Sequence, residues 1–135
     1  MSKLLARLQD AVRSGVYRAT READILEATR GSALDVVTLD VGHNLFDQFA
    51  RQLGFPEWFG GNWDALEDCL GDLSWRADAG RVLVLRSWPS GEELGTLVEI
   101  LRSSAEHWAG RGRPFFAVFL DPTRKLALPD LYREA

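Results

Sequence analysis

Asp64, Asp68 and Asp72 recur at intervals of four residues, with Glu67 among them. On an α-helix that spacing lines the three aspartates up about one turn apart and sets Glu67 alongside. Like charges so placed oppose the helix by about 0.2–0.5 kcal/mol per pair. Asp64, nearest the helix start, recovers part of that cost from the helix dipole. No lysine or arginine falls on the same face to neutralise the rest. A solvated surface helix can carry such a run without any function. Selection for stability alone would nevertheless place a base there, so the row reads as prepared for an external cation. A hard metal ion wants converging oxygens, about six to eight for calcium, whereas one straight helix face splays its carboxylates apart. The alternating aspartates of a calcium loop are absent. A metal-dependent hydrolase built on Asp64, Asp68 and Asp72 therefore needs ligands from other segments. An arginine-lined protein surface fits a flat row of carboxylates better, through bidentate guanidinium pairing.

The distribution of charge points the same way. The chain carries a net charge of −4 at pH 7. Residues 57–78 hold six acids against the single base Arg76, five net negative charges, while the rest of the chain carries one net positive charge. Duplex nucleic acid as a direct ligand needs a basic footprint, the opposite of this pattern. Just before the row, residues 56–61 (PEWFGG) form a turn-rich loop. Phe59 is expected to pack under the helix start and Trp58 to be displayed outward. An exposed tryptophan beside carboxylates has the composition of an interface anchor. Gly60 and Gly61 serve backbone geometry rather than phosphate binding, since neither a GxGxxG nor a P-loop lysine is present. Cys69 falls on the apolar side of the helix with no base identified to activate it, which makes it a poor nucleophile. His43 and His107 are expected in a surface loop and on a helix, respectively.

Holding this face in place requires a framework on both sides. With 46% hydrophobic and 27% charged residues, the 135-residue chain has the composition of one globular domain. Its longest apolar run, residues 115–120 (FFAVFL), is far short of the roughly 20 residues of a membrane helix. Lys3 and Arg7 break up the N-terminal leucines, so no signal core is expected. The single cysteine allows no internal disulfide, and a cytoplasmic protein with no cofactor is the expectation. Residues 34–41 (LDVVTLDV), 81–86 (RVLVLR) and 115–120 read as buried strands. A helix from Asn44, with Asp47 completing a capping-box variant, puts Leu45, Phe46, Phe49, Ala50 and Leu53 on one face and stops at Gly54. Asn62 caps the acidic helix, which runs to about Asp72 and turns Ala65, Leu66, Cys69, Leu70 and Leu73 inward. Ser90-Gly91-Glu92-Glu93 is a capping box for a helix with Leu94, Leu97, Val98, Leu101, Ala105 and Trp108 inward, ended by Gly110 and Gly112. Strands alternating with helices predict an α/β fold with a parallel sheet. Residues 1–33 read as an N-terminal extension packed on a core domain of residues 34–135. The extension holds a helix over 3–13, a candidate extra strand at 16–19 and a second helix at 22–30.

Residues 53–70, LGFPEWFGGNWDALEDCL, resemble the barstar family, the intracellular inhibitors of barnase-type ribonucleases. The match is dense: proline, acid, two aromatics and glycine, then Asn-x-Asp-Ala-Leu-x-Asp-Cys-Leu without a gap. It extends more loosely over residues 34–121. The resemblance implies a three-stranded parallel sheet packed with helices. It also implies that the loop and acidic helix plug a nuclease active site, with acidic side chains standing in for RNA phosphates. Carried over by position, the loop aromatic is Trp58 and the principal helix aspartates are Asp64 and Asp68. Asp68 would take the central role against the phosphate-binding cations of the enzyme. Gly60, Glu67, Gly71 and Asp72 complete the expected partner-binding set, Asn62 matches the cap and Cys69 a buried cysteine.

Three positions depart from the family pattern. Glu67 stands where a tryptophan is found, exchanging aromatic contact for charge, and Gly71 replaces a small polar contact residue. A third acidic contact aligns near Ser103, with Glu99 and Glu106 as neighbours. These departures bear on which enzyme is the target more than on the mode of binding. The resemblance thus implies a bacterial, non-enzymatic immunity protein of toxin–antitoxin type. Its expected partner is a basic secreted or injected ribonuclease; neither nucleic acid nor membrane is bound directly, and the free chain is expected to be a monomer. The same scaffold binding a non-nuclease partner is the other reading.

Overall fold

The computed structural model describes residues 2–132. Helix α1 (Lys3–Leu8) and a 3-10 turn (Ala11–Arg13) lead into strand β1 (Gly15–Ala19). Helix α2 (Glu22–Thr29), β2 (Asp35–Asp40), α3 (Leu45–Leu53) and α4 (Trp63–Asp72) come next. The chain continues through β3 (Arg81–Ser87), α5 (Gly91–Ala109) and β4 (Phe115–Leu120). All strands run parallel in one sheet, in the order β1-β4-β3-β2.

The expectation of a three-stranded sheet is corrected: the sheet has four strands. The three apolar runs became β2, β3 and β4, and the fourth strand is β1, paired with β4 from Gly15–Phe116 to Ala19–Leu120. Only Val16 and Ala19 of β1 are buried, and its partner is the last strand of the chain. Neither a long apolar run nor a nearby hairpin turn advertises such a pairing. The outer edge of β1 is closed in turn by the C-terminal segment, where the Arg18 amide donates to the Pro129 carbonyl and the Leu131 amide to the Arg18 carbonyl, each at 2.9 Å.

Alternation along the strands divides the core into two layers. Leu83, Leu85, Phe115, Ala117 and Phe119 face α3, α4 and α5, joined by Phe49, Leu66, Leu70, Leu97 and Leu101. Val82, Val84, Phe116 and Val118 face the other way and meet Leu8 of α1, Ile25 of α2 and Leu131. The N-terminal segment therefore covers an apolar sheet face that would otherwise lie open to water. Both faces of the central strands are buried, which is why they read as unbroken hydrophobic runs.

Two helix starts differ from expectation. Asn44 makes no side-chain cap; it takes a left-handed conformation (φ 51°), which asparagine tolerates, and the chain turns into α3 through it. Ser90 likewise makes no side-chain cap, because α5 opens through Gly91 at φ 64° rather than through a regular first turn. On α5, Leu97, Ile100, Leu101, Ser104 and Ala105 are buried, while Leu94, Val98 and Trp108 are partly covered. Among the described residues, no helix is long and apolar enough to cross a membrane.

Candidate functional site

Helix α4 begins where Asn62, in extended conformation, accepts a hydrogen bond on Oδ1 from the Ala65 amide at 2.8 Å. It ends at Leu73, left-handed at φ 49°, whose amide bonds back to the Cys69 carbonyl. Leu66, Cys69, Leu70 and Leu73 are buried, and the Trp108 indole of α5 donates to the Leu70 carbonyl at 2.8 Å. That seating fixes the rotation of the helix. Asp64, Glu67, Asp68 and Asp72 all point to solvent, and among the described residues none of the four has an ion-pair partner.

Of the other charges of the acidic segment, Glu57 is exposed on the loop before α4, and the rest are spent internally. Asp78 is held by a bidentate contact from Arg113 at 2.9 and 2.8 Å, which keeps its carboxyl below the usual aspartate range. Arg76, the one base in that stretch, is turned away to Asp35 at 2.8 Å through two nitrogens. The exposed negative potential thus concentrates on one face of α4 and on Glu57 in the loop before it. Cys69 lies under it, its thiol pushed up first by burial and then by Asp68 and Asp72, the reverse of what a nucleophile needs.

The loop over residues 54–62 is braced by aromatic rings. Gly54 ends α3 in the left-handed region (φ 67°), and the Phe55 amide returns to the Ala50 carbonyl at 2.9 Å. Phe59 is partly buried and meets Phe55 edge-on at 4.9 Å; Phe55 in turn meets Trp75 at 5.9 Å. Trp75 is anchored by its indole to the Leu53 carbonyl at 2.9 Å. Trp58 leans on Trp75 at 6.4 Å yet remains 65% exposed, so a large apolar ring is displayed from a firm base. The turn's left-handed residue is Gly61 (φ 67°) rather than Gly60. Gly60 has ordinary backbone, and a Cβ there would stand 3.6 Å from Asn62, an unstrained contact. Trp75 escaped the sequence reading because it lies beyond α4, and only the folded chain brings it under Trp58. The expected result for Trp58→Ala is an unchanged melting temperature and partner binding weakened by about 1 kcal/mol or more, mainly through faster dissociation. Thermal unfolding alongside surface plasmon resonance checks this, and a loss confined to stability would make Trp58 a core residue.

Glu67 opens onto a broad groove of about 740 Å³ between α4 and α5, shared with Glu92, Thr96, Glu99 and Ser103. Glu99 and Ser103 thus stand across the groove from Glu67, while Glu106 lines a separate hollow with Tyr17 and Arg102. Gly71 is unexplained by packing, since a Cβ there would meet only His107, at 4.0 Å. Gly71→Ala should therefore stabilise the fold by roughly 0.5 kcal/mol through helix propensity, measurable by urea unfolding. Weaker partner binding in the same variant would mark Gly71 as a point of close approach. His43 and His107 are both exposed, and His107 lies beside Gly71 of α4. Among the described residues, no group of three or more histidine, cysteine, aspartate or glutamate side chains is placed to share a metal ion.

Fold and face together define a parallel α/β domain that presents an acidic helix and a braced tryptophan to solvent. Residues 32–120 match the family model described as Barstar (barnase inhibitor), and the chain belongs to that family. Compared with curated proteins and with solved structures, it returns no match.

Proposed function

We propose that this chain is a non-enzymatic inhibitor, an immunity protein that occludes the active site of a basic, barnase-type ribonuclease inside the cell that makes it. The observation carrying this reading is the row of Asp64, Glu67, Asp68 and Asp72, exposed along α4 without ion-pair partners among the described residues. Carboxylates spaced along a rigid helix can occupy the cation sites that a ribonuclease holds for RNA phosphates, each guanidinium taking a carboxylate in bidentate fashion. Trp58 supplies the desolvated anchor at one end of the row, and Gly60 and Gly71 leave backbone open to close approach. Membership in a family of barnase inhibitors supports the same assignment.

The field of the row also acts before contact. A basic enzyme meeting this face is steered, so association is fast at low salt and slows as ions screen the charges. The experiment is inhibition of a purified barnase-type ribonuclease by the chain, followed over a range of sodium chloride concentrations. Tight inhibition with a salt-dependent association rate is the expected result. No inhibition at micromolar protein would overturn the reading.

A further inference from the structure

Beyond the acidic face, the far end of α4 borders a cavity of about 270 Å³ whose polar lining is dominated by arginine. Arg76, Arg81 and Arg111 contribute to it, together with Ser74, Asp72 and Trp108. Arg81 is unusual among them, because its side chain is only 4% exposed. Its neighbours do not balance it. The Asp35 carboxylate is shared: Arg76 takes it through two nitrogens at 2.8 Å, and Arg81 reaches it only through Nη1 at 3.2 Å. The remaining bonds of Arg81 go to the neutral Ala77 carbonyl. Asp78, which also lines the cavity, is chelated by Arg113. Asp72 lies on the rim and makes no ion pair among the described residues.

The cavity lining carries the three guanidiniums of Arg76, Arg81 and Arg111 against the two carboxylates of Asp72 and Asp78. Adding their partners outside the lining, Asp35 and Arg113, leaves four guanidiniums against three carboxylates. Positive charge is therefore in excess, and part of it is desolvated. Burying a cation without a full counter-charge is costly, and an anion entering beside it removes that cost. Arg111 stands ready at the mouth, exposed and held over the Trp108 ring at 5.6 Å, so its fork is already oriented. The Ser74 hydroxyl adds a neutral donor at the same opening.

We propose that this cavity between the C-terminal ends of α4 and α5 is a binding site for a small tetrahedral oxyanion of the phosphate class, held by Arg76, Arg81 and Arg111. Guanidinium forks match two oxygens of such an anion at once, which a chloride ion cannot exploit. The site touches the acidic row of α4 only at its last member, Asp72, and its cations are not part of that row, so the proposal stands whether or not the chain inhibits a nuclease.

The test is a titration of the whole chain with inorganic phosphate, chloride replacing it at constant ionic strength, followed by nuclear magnetic resonance of backbone amides and arginine side chains. Saturable shifts centred on Ser74, Trp108 and Arg111 are expected. Arg81 is too deeply placed to replace without risk to folding, so the exposed Arg111 carries the comparison. Arg111→Gln should keep its phosphate-free melting temperature and weaken phosphate binding by about tenfold. Shifts that never saturate, that chloride reproduces, or that persist with unchanged affinity in Arg111→Gln would overturn the proposal.

Discussion

Replacing Asp68 by alanine should weaken inhibition of a barnase-type ribonuclease by at least about 2 kcal/mol, roughly thirtyfold in the inhibition constant. Asp68 is the middle member of the aspartate row, exposed, and among the described residues without an internal partner. No ion pair among the described residues depends on its charge, whereas a docked nuclease would be left with buried, unpaired guanidiniums once it is removed. That residual burial, more than the lost pair itself, makes such truncations expensive. The folded chain should respond in the opposite direction. Asp68 is four residues from both Asp64 and Asp72, and its removal relieves about 0.2–0.5 kcal/mol of repulsion per pair while introducing the best helix former. The melting temperature is therefore expected to hold or rise slightly. Titration calorimetry against the enzyme and thermal unfolding of the free variant separate the two effects. A variant that binds as tightly as the parent but unfolds more easily would show that the row serves the fold.

That opposition between stability and binding was legible in the amino-acid sequence because helical phase is a local property. Seven consecutive residues, from Asp64 to Leu70, suffice to put the carboxylates on one side and Leu66, Cys69 and Leu70 on the other, as the structure has them. The strands β3 and β4 were equally readable, since burial on both faces leaves an unbroken apolar run, while β2, at the sheet edge with only Val37 and Leu39 buried, was marked by its β-branched residues. What stayed hidden depends on distant partners or on backbone geometry. Strand β1 was legible as a candidate over residues 16–19, but its place in the sheet beside β4 is set by a ladder to the last strand of the chain. Arg113 silences Asp78 and Asp35 withdraws Arg76, so the six acids of residues 57–78 do not act as one block. The caps expected at Asn44 and Ser90 failed because left-handed residues, Asn44 itself and Gly91, redirect the chain at the helix entrance. Residue type alone does not reveal such turns.

The same long-range pairing governs the second large effect. Asp35→Asn should destabilise the fold by about 3 kcal/mol, the low end of the range for breaking a buried pair, because Asp35 and Arg76 keep some contact with water. The substitution preserves shape but removes the charge that holds Arg76 in two bonds and nearly buried Arg81 in a third. Its dependence on pH follows from the same contacts. Hydrogen bonding from Arg76 holds the Asp35 carboxyl below its ordinary value of 3.8, against the opposing pull of burial. A carboxyl with a lowered value in the folded state binds fewer protons there than in the unfolded chain. Its contribution is complete above the ordinary value and is lost as pH falls through the lowered one. Glu22, Asp24 and Asp78 are lowered by their own partners and also weaken the parent in acid, so the informative quantity is the difference between parent and variant. Urea unfolding at neutral pH should give the full gap, and the gap should narrow steadily once the pH drops below about 4. A gap that stays constant into acid would mean that Asp35 stabilises these arginines through geometry rather than through its charge.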